Sequence, residues 1–355
     1  MLRLKAMQQW KLISAVFLII CIVDIGATLK HEPLTDETSQ YMKDQCKGAM
    51  PAGEVRLEGT VTTKAYAHRA QEVIDMEVRE DDIWIISFPK TGTTWTQEMV
   101  WLLKNNLDYE KARKMIYERY LFLEYRLLWG DKPEDSYEVI PDMIQEVKDA
   151  HPPRYIMTHL PKHLLPKDIL TVKPKIIYVT RNPKDVAISY FYHFMAWNNY
   201  KGTMDHFLKA FVEDKVVYSP YYDHVLTYKK LSEENDNILF ITFEDMKKDL
   251  SKVVKKTAEF LKVTYSDEEL KALIEHLSFS KMKQNPAVNY HQDYIELEKK
   301  YGVKKMANGE PLSYIRNGED GEWERVMTRE QIKMFDDWTK KTMEDKGINF
   351  SERLN

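Results

Sequence analysis

Two cysteines in 355 residues, Cys21 and Cys46, are too few for a disulfide framework, so this chain rests on a buried core. Surplus positive charge is missing too. Lys and Arg number 52 against 56 Asp and Glu, a net charge of −4, which excludes broad nucleic-acid binding and confines any anion site to a local cluster. No internal repeat and no low-complexity tract occurs, which excludes solenoids and arrays. The Gly-x-x-x-x-Gly-Lys-Ser/Thr order of a nucleotide-binding P-loop is absent. Only one clean glycosylation sequon is found, Asn349-Phe350-Ser351, near the chain end. What is present is apolar material: 43% hydrophobic and 12% aromatic residues, enough for the core of one large α/β domain or two small ones.

The N-terminus stands apart. Arg3, Lys5 and Lys11 precede an apolar run from Leu12 to Val23, broken by Asp24 and followed by Gly26-Ala27. A basic flank, an apolar stretch and a small-residue exit read as a signal peptide cleaved near Ala27. Taken to Leu29, the run reaches the lower edge of spanning length and reads equally as a signal anchor. Cleavage would leave Cys46 alone, which fits a secreted protein poorly. The leader points to the secretory pathway and the body to the cytoplasm.

Residues 30–54 are polar, carry Pro33, Gly48, Pro51 and Gly53, and read as a linker ahead of a single domain spanning 55–348, with a short tail at 349–355. A weak helix is expected over 61–80. Four apolar, β-branched runs then read as buried strands: Ile83–Phe88, Arg154–Thr158, Lys175–Thr180 and Ile238–Phe243. Trp95, Met99, Leu102 and Leu103 recur at helical spacing. Asn182, Pro183 and Asp185 mark a helix start, with the helix running to about Trp197. Helices follow at 249–262 and 267–276. The aromatic-rich segment 117–129 reads as irregular helices. Strands alternating with helices predict a parallel sheet covered on both faces, with all strand C-termini on one edge.

That edge is where open α/β sheets bind ligands. Past the first strand comes Ser87-Phe88-Pro89-Lys90-Thr91-Gly92-Thr93-Thr94-Trp95, a strand–turn–helix that gathers free N–H groups, a helix dipole, two hydroxyls and one cation. Past the second comes His159, and past the third Arg181. A phosphate cradle, an imidazole and a guanidinium from three distant segments therefore meet at one rim.

The loop resembles the 5′-phosphosulfate loop of the cytosolic-type, small-molecule sulfotransferases, which reads Tyr/Phe-Pro-Lys/Arg-Ser/Thr-Gly-Thr-Thr-Trp. The resemblance extends from about residue 55 to 345. It implies a single-domain α/β fold with a central parallel sheet, and 3′-phosphoadenosine 5′-phosphosulfate (PAPS) as sulfuryl donor with no metal. By this resemblance Lys90 holds the leaving-group oxygen and the 5′-phosphosulfate, together with Thr91, Gly92, Thr93 and Thr94, while Trp95 stacks on adenine. His159, in Thr158-His159-Leu160-Pro161, matches the family's catalytic histidine. Arg181 and Ser189 match the segment that binds the 3′-phosphate. Arg316, Asn317 and Gly318 match a closing loop of pattern Arg-Lys-Gly-x-x-Gly-x-Trp. Phe243 and Phe279 match adenine-side positions. The acceptor is then a small apolar phenol or alcohol, walled by 117–129 and 190–200.

The sequence departs from the family pattern in several places. Asn317 stands where lysine is usual and Leu277 where threonine is frequent. Phe243 keeps a ring but not a tyrosine hydroxyl. Met157 replaces a lysine two residues before the histidine, so it cannot help neutralise the sulfuryl group. Glu324, Thr328, Arg329 and Lys333 fall on the family's dimer motif with the terminal charges exchanged, which is compatible with a homodimer. Two competing readings follow from the same residues: a nucleotide or ligand carrier that kept the fold and lost rate, and a kinase-like phosphotransferase, which the inverted loop disfavours.

Overall fold

The computed structural model describes residues 29–48, 50–129, 141–303 and 312–347. The leader up to residue 28 and the tail with its sequon lie outside the described residues. Among the described residues no helix is long and apolar enough to cross a membrane.

The stretch expected as a linker is folded. Strand β1 (His31–Pro33) pairs with β2 (Val55–Leu57), which pairs with β3 (Thr60–Thr62), making a small antiparallel sheet. Between β1 and β2, helix α1 (Glu37–Gln45) starts where the Asp36 carboxylate accepts from the Ser39 N–H. Leu34 and Met42 are buried, single apolar anchors in polar surroundings. Two anchors hold a short helix to a body but leave no readable period, so the compact unit begins at His31 rather than 55. The expected helix over 61–80 contracts to α2 (Lys64–Ile74), because Thr60–Thr62 pairs as a strand and Thr63 caps the helix.

The main sheet is parallel throughout, with order β5-β6-β4-β7-β8. β4 (Ile83–Ser87) is its centre, and every residue in it is buried. Helix α3 (Thr93–Lys104) leaves β4 as expected. The outermost strand, β5 (Leu121–Phe122), is absent from the sequence reading, since two residues carry no alternation. β6 (Tyr155–Thr158), β7 (Lys175–Thr180) and β8 (Ile238–Thr242) lie where the apolar runs put them. Phe243 leaves β8 and opens a short helix, because the Thr242 hydroxyl caps it. Helix α4 (Pro183–Trp197) starts at Asn182, whose side chain accepts from the Lys184 N–H. Two later helices matter below, α5 (Tyr221–Glu234) and α6 (Arg329–Asp345).

Register aligns the strand ends: Ile86 pairs with Thr158, Ser87 with Val179, and Thr180 with Thr242. From β4 the chain moves outward to β5 and β6 on one side, then crosses to β7 and β8 on the other. β4 is thus the switch point, where the loops after neighbouring strands diverge and leave a crevice. The opposite end is closed by a buried ion pair, Arg154 to Asp82 at 2.6 Å, just ahead of β6 and β4.

Candidate active site

The crevice is an open cavity of about 1510 Å³, counting the solvent at its mouth. Its wall contains Lys90, Gly92, Thr93, Thr94, Trp95, His159, Arg181, Ser189, Phe243, Phe279, Arg316, Asn317 and Gly318. These come from four strand ends, from α4 (Ser189), from the start of a later helix (Phe279) and from one distant loop. Thr91 is the exception. Its hydroxyl donates inward to the carbonyls of Phe88 (2.8 Å) and Val179 (3.0 Å), tying the turn to β7 instead of facing the cavity. Gly92 has φ +106°, and a Cβ there would meet the Phe243 ring at 3.1 Å. The Thr93 hydroxyl lies 2.8 Å from the Ser87 hydroxyl, and Thr94 lies 3.2 Å from the Tyr314 hydroxyl.

His159 follows β6 and faces this turn. Its Nδ1 is 2.8 Å from the Ser87 carbonyl, an acceptor only, so Nδ1 carries the proton and Nε2 keeps its lone pair. Burial, with the Lys90 charge beside it, pushes the imidazole down to about 4, while the Ser87 carbonyl pulls the other way. The ring is therefore neutral at physiological pH.

The cations surround the same space. The Lys90 ammonium sits 3.9 Å over the Tyr314 ring, and burial, then Arg316 and Arg181, lower it to about 7. The Arg181 guanidinium lies 4.2 Å over the Phe243 ring, and its buried Nε has no hydrogen-bond partner among the described residues. Arg316 makes a two-pronged pair with Glu322 and stacks 4.4 Å over Tyr192. Its loop is docked by Asp185 at the start of α4, which accepts from the N–H groups of Gly321 (2.8 Å) and Trp323 (3.0 Å). Gly318 has φ +58°, and a Cβ on it would stand 2.2 Å from the Phe279 ring, so only glycine lets the loop lie against that ring. Trp95 is fixed by its Nε1–H to the Leu277 carbonyl (2.8 Å) and meets Phe243 edge-on.

Comparison with known proteins decides what this arrangement is. Residues 80–347 match the family model described as "Sulfotransferase domain". The chain belongs to the sulfotransferase family. A luciferin sulfotransferase from Photinus pyralis is 37% identical over 290 residues, covering 78% of this chain and 76% of that protein. Sulfotransferase 1E1 from Mus musculus is 32% identical, covering 85% and 96%. Among solved structures, a retinol dehydratase in complex with androsterone and the inactive cofactor PAP superposes with a TM-score of 0.78 at 29% identity, covering 89% of this chain and 96% of its own. Mouse sulfotransferase SULT7A1 complexed with PAP superposes at 0.60 with 28% identity, covering 81% and 92%.

This sulfotransferase is a PAPS-dependent enzyme with the parallel α/β fold of its relatives. The residues present fit a nucleotide with phosphate at two ends. A buried Arg181 Nε and a half-buried Lys90 without a carboxylate partner, both among the described residues, and a turn running into the N-terminus of α3 are what such a polyanion would satisfy. Among the described residues no group of three His, Cys, Asp or Glu could hold a metal ion. Met157 lines the cavity and offers a thioether where the resemblance implies a lysine. The Asn317 amide lies 3.4 Å from the Glu319 carboxylate and also reaches Glu322.

Two positioning residues escaped the sequence reading. Buried Glu124 accepts from the His159 backbone N–H (2.7 Å), the Thr158 hydroxyl (2.7 Å) and the Tyr218 hydroxyl (3.1 Å). Burial pushes its carboxyl up to about 7, against those bonds. On the other side, His224 Nε2–H donates to the His159 carbonyl (3.0 Å), while Nδ1 accepts from Tyr178 (2.7 Å). The peptide bearing the imidazole is thus gripped at both its N–H and its C=O. The only hints in sequence are a carboxylate inside the run Leu121–Trp129 and a histidine in an aromatic helix. Glu124→Gln turns an amide donor toward groups that themselves donate, so kcat should fall about 10- to 100-fold through misalignment of His159. Affinity for adenosine 3′,5′-bisphosphate should stay unchanged in calorimetry; an unaltered kcat would show that His159 needs no such support.

Proposed function

We propose that this sulfotransferase sulfates a hydroxyl of a small apolar phenol or alcohol with His159 as general base. The observation that carries the reading is the Nδ1–H bond to the Ser87 carbonyl, which leaves Nε2 unprotonated in the same cavity as the phosphate turn. PAPS, when bound, supplies an activated sulfuryl group on a 5′-phosphate. His159 Nε2 takes the acceptor's proton as the new O–S bond forms and the S–O bond to the phosphate breaks. Lys90 offsets the charge that grows on the leaving phosphate oxygen, with the N–H groups and hydroxyls of Thr93 and Thr94. Arg181, Ser189, Arg316, Asn317 and Gly318 would hold the 3′-phosphate, and Trp95, Phe243 and Phe279 the adenine.

The acceptor end supports the apolar part of the reading. Phe122, Tyr125, Leu128, Trp197 and Tyr218 wall it, which suits ring systems with few polar atoms. A relative named for luciferin, and a retinol dehydratase whose structures hold androsterone or retinol, point the same way. A labelled-sulfate transfer assay across phenols, sterols, retinoids and tyrosine peptides tests it. Transfer to a phenol or alcohol is expected, and labelling of peptides alone would overturn it.

The same reading includes a homodimer closing through Glu324, Thr328, Arg329 and Lys333. Thr328 caps α6 and Lys333 pairs with Asp337 at 2.6 Å, so a partner chain would have to compete for both. Sedimentation that shows monomer at every concentration would remove this part.

A further inference from the structure

One imidazole in the cavity has no part in the reaction as derived. His193 lies on α4, one helical turn beyond Ser189, and faces the cavity half-buried, as His159 does. Neither of its ring nitrogens has a hydrogen-bond partner among the described residues, and Nδ1 is fully enclosed. Its neighbours are rings: Tyr190 and Trp197 at 5.9 Å and Tyr314 at 6.3 Å between centroids. Burial, with Lys90 and His159 nearby, holds it well below the ordinary histidine value. It is therefore a neutral imidazole with one donor and one acceptor to offer, electrostatically coupled to both reacting-side groups.

An acceptor with a wholly hydrocarbon body would strip water from this ring and return no hydrogen bond. A second polar group on the acceptor would restore one. A second base is not needed, since the acceptor hydroxyl loses a single proton and His159 Nε2 is placed to take it. We propose that His193 is a specificity-determining residue that hydrogen-bonds a second polar group of the acceptor, so that phenols and alcohols carrying an additional hydroxyl are preferred. The proposal rests on the acceptor reading given above. Pockets built around a polar group discriminate strongly against ligands that leave it unpaired, whereas apolar pockets tolerate small changes.

The test compares wild type, His193→Phe and His193→Gln on matched acceptor pairs: hydroquinone against para-cresol, and biphenyl-diol against hydroxybiphenyl. Equilibrium binding with adenosine 3′,5′-bisphosphate present gives the affinity ratio, and turnover with PAPS gives the ratio of kcat/KM. Wild type should favour the diol at one spacing by about tenfold. His193→Phe should bring that ratio to about one by raising KM for the diol, with kcat on the mono-ol retained, and His193→Gln should keep part of the preference. An equal loss on both acceptors would make the residue structural or catalytic, and an unchanged ratio in His193→Phe would remove its role. If wild type sulfates neither acceptor, the acceptor reading fails while the binding ratio still judges His193.

Discussion

Replacing His159 with alanine is expected to lower transfer by about 1,000-fold or more, the loss of both proton acceptance and alignment. Affinity for adenosine 3′,5′-bisphosphate should move by less than about threefold, since His159 contacts neither phosphate end in the proposed arrangement. Single-turnover chemistry beside calorimetric binding separates the two. Residual transfer within tenfold of wild type would mean that another group takes the proton. The pH dependence follows from the same environment. With the imidazole at about 4 in the free enzyme, kcat/KM for the acceptor, measured at saturating PAPS so that the bound polyanion keeps Lys90 charged, should stay flat from neutral pH to about 5 and fall only on approach to 4. Stability moves in the same direction. His159 and His224, held at about 4 and about 3, stay neutral in the folded state below the unfolded value of 6.5. The unfolded chain binds the extra protons, so stability is complete above 6.5 and is lost as pH falls from there toward 4.

Lys90→Met is expected to cut kcat about 100-fold and nucleotide affinity about tenfold, because a half-buried charge at the leaving-group end is removed with little change in volume. A second readout isolates its electrostatics. Lys90, held at about 7 by burial and by Arg316 and Arg181, is mostly neutral at pH 8. A bound polyanion favours the charged form, so adenosine 3′,5′-bisphosphate should bind with uptake of nearly one proton at pH 8, and about half of one at pH 7. Titration calorimetry in buffers of different ionisation heat measures this. In Lys90→Met the uptake should vanish; if it persists, some other group is titrating and Lys90 does not face the phosphate.

Much of this site was legible before folding, for reasons that can be named. Ile83–Ser87 is a strand because a β-branched run is buried on both faces. The turn after it follows from Pro89 and Gly92, and α4 starts at Asn182 because an amide caps it two residues on. Each of these depends on neighbours within about one turn. The convergence of Lys90, His159 and Arg181 on one rim needed only the further rule that parallel crossovers share a hand.

Other features could not be read this way. Residues 30–54 looked like a linker because Leu34 and Met42 each depend on a body that local sequence does not contain. Thr91 looked like a ligand group, yet its hydroxyl finds Val179, 88 positions away. Glu124 and His224 grip His159 across 35 and 65 residues, and the rings around His193 leave it without a hydrogen-bond partner among the described residues. Sequence alone determined four of the five strands of the main sheet, the Asn182 cap, the turn after β4 and the family, since short-range sterics and capping fix the local elements. Tertiary structure decided which polar groups are spent on holding the site and which remain free to act. Hydrogen-bond partners are assigned only when distant segments lose water together.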